Sequence, residues 1–136
     1  MLLIEVAKYL DSEDLGSFDE DGTTGDIFVQ KLPVLPHNCI TVWPESGREP
    51  DVKMGYDKPS LQIIVRNQNA VSGYLKAKQV FDKLHGFAPI ELNGLAILSC
   101  FCTYSDPAHI GEDKEGRHEY SLNFELEVRN ITTFRE

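Results

Sequence analysis

The sequence predicts an α+β fold: a mostly antiparallel sheet with two helices packed on one face. Three observations carry this. Two stretches have helical periodicity. Several short stretches alternate with strand periodicity. Their order is helix, two or three strands, helix, two or three strands. The 136 residues read as one domain, 1–136, with 131–136 as a tail that is free to be extended.

The first helix is read from "LLIEVAKYL". Leu2, Leu3, Val6, Ala7 and Leu10 recur on one helical face, and Gly16 is a stop signal soon after. The turn-rich, acidic "FDEDGTTGD" reads as an exposed loop. It fails the calcium-loop pattern, because counting from Asp19 puts Gly22 at position four and Gln30 at position twelve. "IFVQKLP" is a short β-prone run ended by Pro33. "NCITVWPE" is a strand with both faces at least partly covered, ended by Pro44.

"YDKPSLQIIVRN" follows a polar loop and is the next strand. Leu61, Ile63 and Val65 alternate with Gln62 and Arg66, and Pro59 suits the strand's start. Ile64 breaks the alternation and puts an apolar side chain on the face that should meet water. A neighbouring element or another subunit is expected there.

The clearest helix is "VSGYLKAKQVFDKLHGF". Val71, Tyr74, Ala77, Val80, Phe81 and Leu84 form its stripe, Asn69 its N-cap and Gly86 its C′ residue, while Gly73 weakens the first turn. Tyr74, Phe81 and Leu84 are expected to cover the sheet, and Phe81→Ala to cost ~3–5 kcal/mol. "IELNGLAILSCFCTY" is a hairpin around Asn93-Gly94. "SDPAHIGEDKEGRHE" reads as a long polar loop. "EYSLNFELEVRN" is a strand with Tyr120, Leu122, Phe124, Leu126 and Val128 inward.

Composition narrows the function. With 13 cationic and 22 acidic residues the net charge is −9, and no basic run occurs. A duplex-binding protein presents a basic surface, so tight nucleic-acid binding is not expected. Met1 to Leu10 lacks the basic n-region and long apolar core of a secretion signal, and no apolar run approaches the ~20 residues that span a bilayer. A soluble protein is expected. Cys39, Cys100 and Cys102 are an odd set that suits a reducing compartment.

Cys100 and Cys102 share one strand face, and Cys39, His109 and His118 could complete a tetrahedral zinc site. C-x-C on a strand is not a zinc spacing, so buried, reduced, metal-free thiols are expected. The remaining histidines, His37 and His85, are scattered, and His85 suits a helix C-terminus. No nucleophile-elbow, phosphate-loop or dinucleotide motif occurs.

"GREPDVKMGYDKPSLQIIVRN", "AKQVFDKLHGF", "LNG" and "EGRHEYSLNFELEVRN", in that order and spacing, resemble the minor capsid proteins of tailed bacteriophages and prophages. This group is similar to head–tail joining and tail terminator proteins, and the resemblance runs from about residue 2 to 130. It implies a tail-terminator-like α+β subunit of a homo-oligomeric ring, usually a hexamer. Such a ring caps the tail tube protein and docks on the head connector or stopper protein, with DNA passing passively through its lumen. It implies a virion location at the head–tail junction after assembly in the host cytoplasm. It supplies no catalytic, cofactor-binding or metal-binding residue, and no membrane contact.

The alternatives are a connector adaptor or stopper, a tail tube subunit, or, in a different class, a small cytosolic metal-binding protein or enzyme. Loops 45–58 and 105–118 are the expected contact loops. The candidate intersubunit residues are Ile64, Arg48, Asp51, Lys53, Tyr56, His109, Asp113, Lys114 and Arg117.

Overall fold

The computed structural model describes residues 1–136. The elements are α1 (Leu2–Ser12), β1 (Ile27–Val29), β2 (Cys39–Arg48), β3 (Tyr56–Asn67), α2 (Ala70–Leu84), β4 (Ile90–Leu92), β5 (Leu95–Cys102), β6 (Ala108–Glu112) and β7 (His118–Arg129). The strands form one seven-stranded sheet in the order β1-β2-β3-β7-β5-β4. β6 also pairs with β7, beside residues 118–121, where β5 does not reach. Only the β1–β2 pairing is parallel.

The alternation read from the sequence sets the faces. Leu61, Ile63 and Val65 stand opposite Phe124, Leu122 and Tyr120, and Ile63 opposite Val42 on the other side. These side chains, with Leu3, Val6, Ala7 and Leu10 of α1 and Ala77, Val80 and Leu84 of α2, form one cluster of 22 buried residues. Both helices therefore lie on the inner face. Each fully buried Leu, Ile or Phe contributes about 1.5–3 kcal/mol. The sheet curls round α1. On one side α1 meets β1 and β2. On the other, the Tyr9 and Phe87 rings lie 5.0 Å apart and Asn93 donates to the buried Glu5 carboxylate at 3.4 Å.

Local signals held where the backbone alone decides. The Asn69 side chain accepts from the Ser72 N–H at 2.9 Å, and Gly86 follows the C-cap with φ +76°. Asn93 and Gly94, both at positive φ, turn β4 into β5. No helix is long and apolar enough to cross a membrane.

Four expectations are corrected. β2 does not end at Pro44 but runs on to Arg48. β1 leaves β2 at Val42, so Pro44 sits on an edge, where its missing N–H costs no ladder bond. The segment 105–118 is not all loop, because it contains β6.

The α2 stripe is narrower than predicted, and Gly73, Ala77, Val80 and Leu84 make the buried contact. Val71 is exposed and Phe81 only half-buried. Phe81 stacks on His85 at 4.9 Å, with the Lys78 ammonium 4.7 Å from its ring centre. Gly73 does more than weaken a turn. A Cβ there would stand 2.9 Å from the Tyr120 ring, so its absence sets how closely α2 approaches β7.

Candidate assembly surfaces

The outer face of the sheet carries no helix. Along β3 it shows Gln62 and Ile64, flanked by Trp43 and Thr41 of β2 and by Asn123 and Ser121 of β7. Ile64 is half-buried, between Thr41 and Ser121, which are themselves buried. The Trp43 indole N–H donates to the Thr41 hydroxyl at 2.8 Å. Leu98 and Phe101 of β5 and Ile110 of β6 are exposed. The Asn123 Oδ1 atom is buried without a hydrogen-bond partner.

The β2–β3 hairpin runs past the core and meets the C-terminal residues at its tip. Glu136 N–H donates to the Lys53 carbonyl at 2.9 Å, and Gly55 N–H donates to the Glu136 carbonyl. Asn130 N–H donates to the Gly55 carbonyl at 2.7 Å. Arg135 pairs with Asp57 at 2.6 Å and also donates to the Asp51 and Tyr56 carbonyls. A Cβ at Gly55 would lie 2.7 Å from the Glu136 carbonyl oxygen, so the close approach requires glycine. Residues 131–136 thus turn back, through an Arg135 N–H to Thr132 carbonyl bond, and lock the tip. What the tip shows to solvent is apolar: Val52 is 75% exposed, Met54 56%, Ile131 66% and Phe134 84%.

At the other end of β2, the β1–β2 connection is strapped down by two buried arginines. Arg66 donates to the carbonyls of Pro33 (2.7 Å), Pro36 (2.6 Å) and His37 (3.0 Å). Arg117 donates to the Val34 carbonyl and pairs with Asp113 at 2.7 Å. Asp113 also accepts from the Glu115 and Arg117 N–H groups, and these Arg117 and Glu115 bonds outweigh desolvation and hold its carboxyl below the usual range. The strap leaves Val34 and Leu35 exposed.

Several sequence-predicted contact residues gather at the hairpin. Arg48 faces Glu125 at 3.8 Å, Asp51 pairs with Lys58 at 3.1 Å, Lys53 is exposed, and Tyr56 lies under the Arg129 guanidinium at 4.7 Å. His109, Asp113 and Lys114 lie on β6 and the turn after it, some distance along β7 from that tip. His109 Nε2 and His118 Nδ1 are 3.1 Å apart. The Arg117 side chain is buried and committed within the subunit.

The cysteines and histidines do not converge. Cys100 and Cys102 are buried on the inner face of β5, opposite Leu126 and Phe124, while Cys39 is on β2 opposite Arg66. Burial pushes the Cys100 thiol up to about 12, and raises Cys39 as well. No group of three or more His, Cys, Asp or Glu side chains is placed to hold a metal ion.

The sequence matches the family model of the bacteriophage tail terminator protein over residues 9–130. The chain belongs to this family. A search of the curated proteins returned no match. Among solved structures, a chain from the virion of a native gene transfer agent particle shares the fold. It has a TM-score of 0.69 and 16% sequence identity, with 95% of each chain covered. Membership of the tail terminator family makes this chain a structural component of a phage-type virion.

Sequence reasoning missed three features of this terminator-family chain. Arg66 reads as a polar member of an alternating strand, and nothing local shows that it reaches across to residues 33–37. The tail "ITTFRE" has no period. Its one sequence signal was Gly55 in "KMGYD", a glycine with no turn partner. The exposed Val52 and Met54 were hidden in a loop read as polar.

Proposed function

We propose that this chain is the subunit of a tail terminator ring. Copies close head-to-tail, six being the usual number for such rings, to cap the tail tube and present a docking surface to the head connector. The carrying observation is the helix-free outer face, with Ile64 half-buried on it and the Asn123 acceptor unpaired on the same face. A covered inner face and a helix-free outer face that leaves Leu98, Phe101 and Ile110 exposed suit a protein completed by assembly. The contacts are carried by Ile64, by Arg48, Asp51, Lys53 and Tyr56 of the hairpin, and by His109, Asp113 and Lys114 on the β6 side. A net charge of −9 keeps DNA from adhering as it passes through the lumen. Assembly takes place in the host cytoplasm before incorporation at the head–tail junction. The role is structural rather than catalytic.

The test places Asp at Ile64 and measures folding and assembly. A folded variant that no longer forms rings supports the reading. A folded variant that assembles as the wild type does removes Ile64 from the interface. An unfolded variant assigns it to the subunit's own stability.

A further inference from the structure

The hairpin tip is a built object. Two segments some eighty residues apart in sequence are joined there by backbone hydrogen bonds and by the Arg135–Asp57 pair, and the product is an apolar knob. It is also electrically unlike the rest of the chain. Residues 48–58 and 129–136 carry five cationic side chains against four carboxylates. Residues 1–26 carry eight carboxylates against one lysine. On an acidic chain, a neutral-to-positive apolar tip is a surface that another copy can approach without repulsion.

The same chain carries a seat of matching chemistry. Beside β1, a cleft of about 260 Å³ is lined by Met1, Ile4, Phe18 and Phe28 and rimmed by residues 19–22 of the acidic loop, with three carboxylates there against one cation, Lys31, whose ammonium donates to the Gly22 carbonyl at 2.8 Å. Asp19 folds that loop, accepting from Thr23 and Thr24, and Glu20 faces Lys8 at 3.5 Å. Asp21 forms no ion pair within the subunit. The tip's Lys53 is likewise exposed and free of an ion pair. A subunit cannot fill its own cleft. β2 runs from the β1 register at Val42 to Arg48, roughly 20 Å of extended chain, before the tip begins.

We propose that the tip, led by Phe134 and Val52, seats in the β1-side cleft of the next copy, with Lys53 meeting the Asp21 rim. Knob and cleft are different surfaces of one chain, so the contact is heterologous and repeats head-to-tail. This rests on the ring reading and specifies its subunit contact. The C-terminal segment thereby acquires a role as half of the knob.

Phe134→Asp, Lys53→Glu, Asp21→Lys and the double Lys53→Glu/Asp21→Lys variant test it by sedimentation velocity across a concentration series. Circular dichroism of each variant checks folding, which the exposed positions should leave unchanged. The expected result is at least tenfold weaker association for Phe134→Asp. Severalfold weakening is expected for each single charge change, with recovery toward wild type in the double variant. Phe134→Asp assembling as the wild type does would overturn the knob. Weakening by Lys53→Glu without recovery in the double variant would overturn the cleft as its seat. A wild-type chain that stays monomeric throughout would fail the ring reading itself, and this contact with it.

Discussion

Replacing Arg66 tests whether two buried arginines hold the β1–β2 connection. Its guanidinium is buried and bound by three carbonyl oxygens at 2.6–3.0 Å rather than by a carboxylate. A net hydrogen bond from a charged donor is worth about 1.5–3 kcal/mol, but the freed loop carbonyls regain water, so the three together are worth less than their sum. Arg66→Leu should therefore cost about 2–4 kcal/mol. Arg66→Lys keeps the charge without the planar fork and should cost roughly half as much, about 1–2 kcal/mol. Urea unfolding gives both values from the midpoint at constant m. Limited proteolysis should show new cleavage within residues 31–38 in Arg66→Leu only. A loss below about 0.5 kcal/mol, the size of an ordinary surface change, with no new cleavage would refute the strap.

Three further outcomes follow from the packing. Phe124 is fully buried and should cost about 3–5 kcal/mol as Ala, whereas half-buried Phe81 should cost under about 2, and equal losses would contradict the faces assigned here. Hydrogen bonds from Arg135 and then Asn130 hold the Asp57 carboxyl below the usual range. The folded tip favours the ionised form, so its contribution is complete above the unfolded value near 4 and is lost as pH falls through the lower folded value. Protection of the Gly55 and Glu136 amides, taken against the intrinsic exchange rate at each pH, should fall below about pH 4 in wild type, and Asp57→Asn should abolish that dependence. With Cys100 pushed up to about 12 and all three cysteines buried, a thiol reagent at neutral pH should label none in the folded protein and three after unfolding.

The sequence made most of this fold legible because most of its signals are local. Tyr120 to Val128 alternate over a full strand, Asn69 caps the residues beside it, and Asn93-Gly94 turns in place. β6 was not legible because "AHIGE" buries almost nothing and owes its strand to the exposed edge of β7. Pro44 misled because an edge position is a tertiary fact. The α2 stripe was drawn too wide because periodicity gives a face but not its width, which Gly73 sets by letting Tyr120 in. The candidate contact residues at 48–56 were chosen from loop length and polarity, and the structure gathers them at the hairpin. Half of that surface, Ile131 to Glu136, was missed because its partner lies some eighty residues away.

Electron microscopy of the purified chain, alone and mixed with tail tube subunits, tests the central claim most directly. The account predicts closed rings of one fixed subunit number that do not extend with concentration, and tubes bearing a single ring at one end and growing no further there. Hollow filaments of indefinite length from this chain alone, or tubes that lengthen unchecked in its presence, would contradict it.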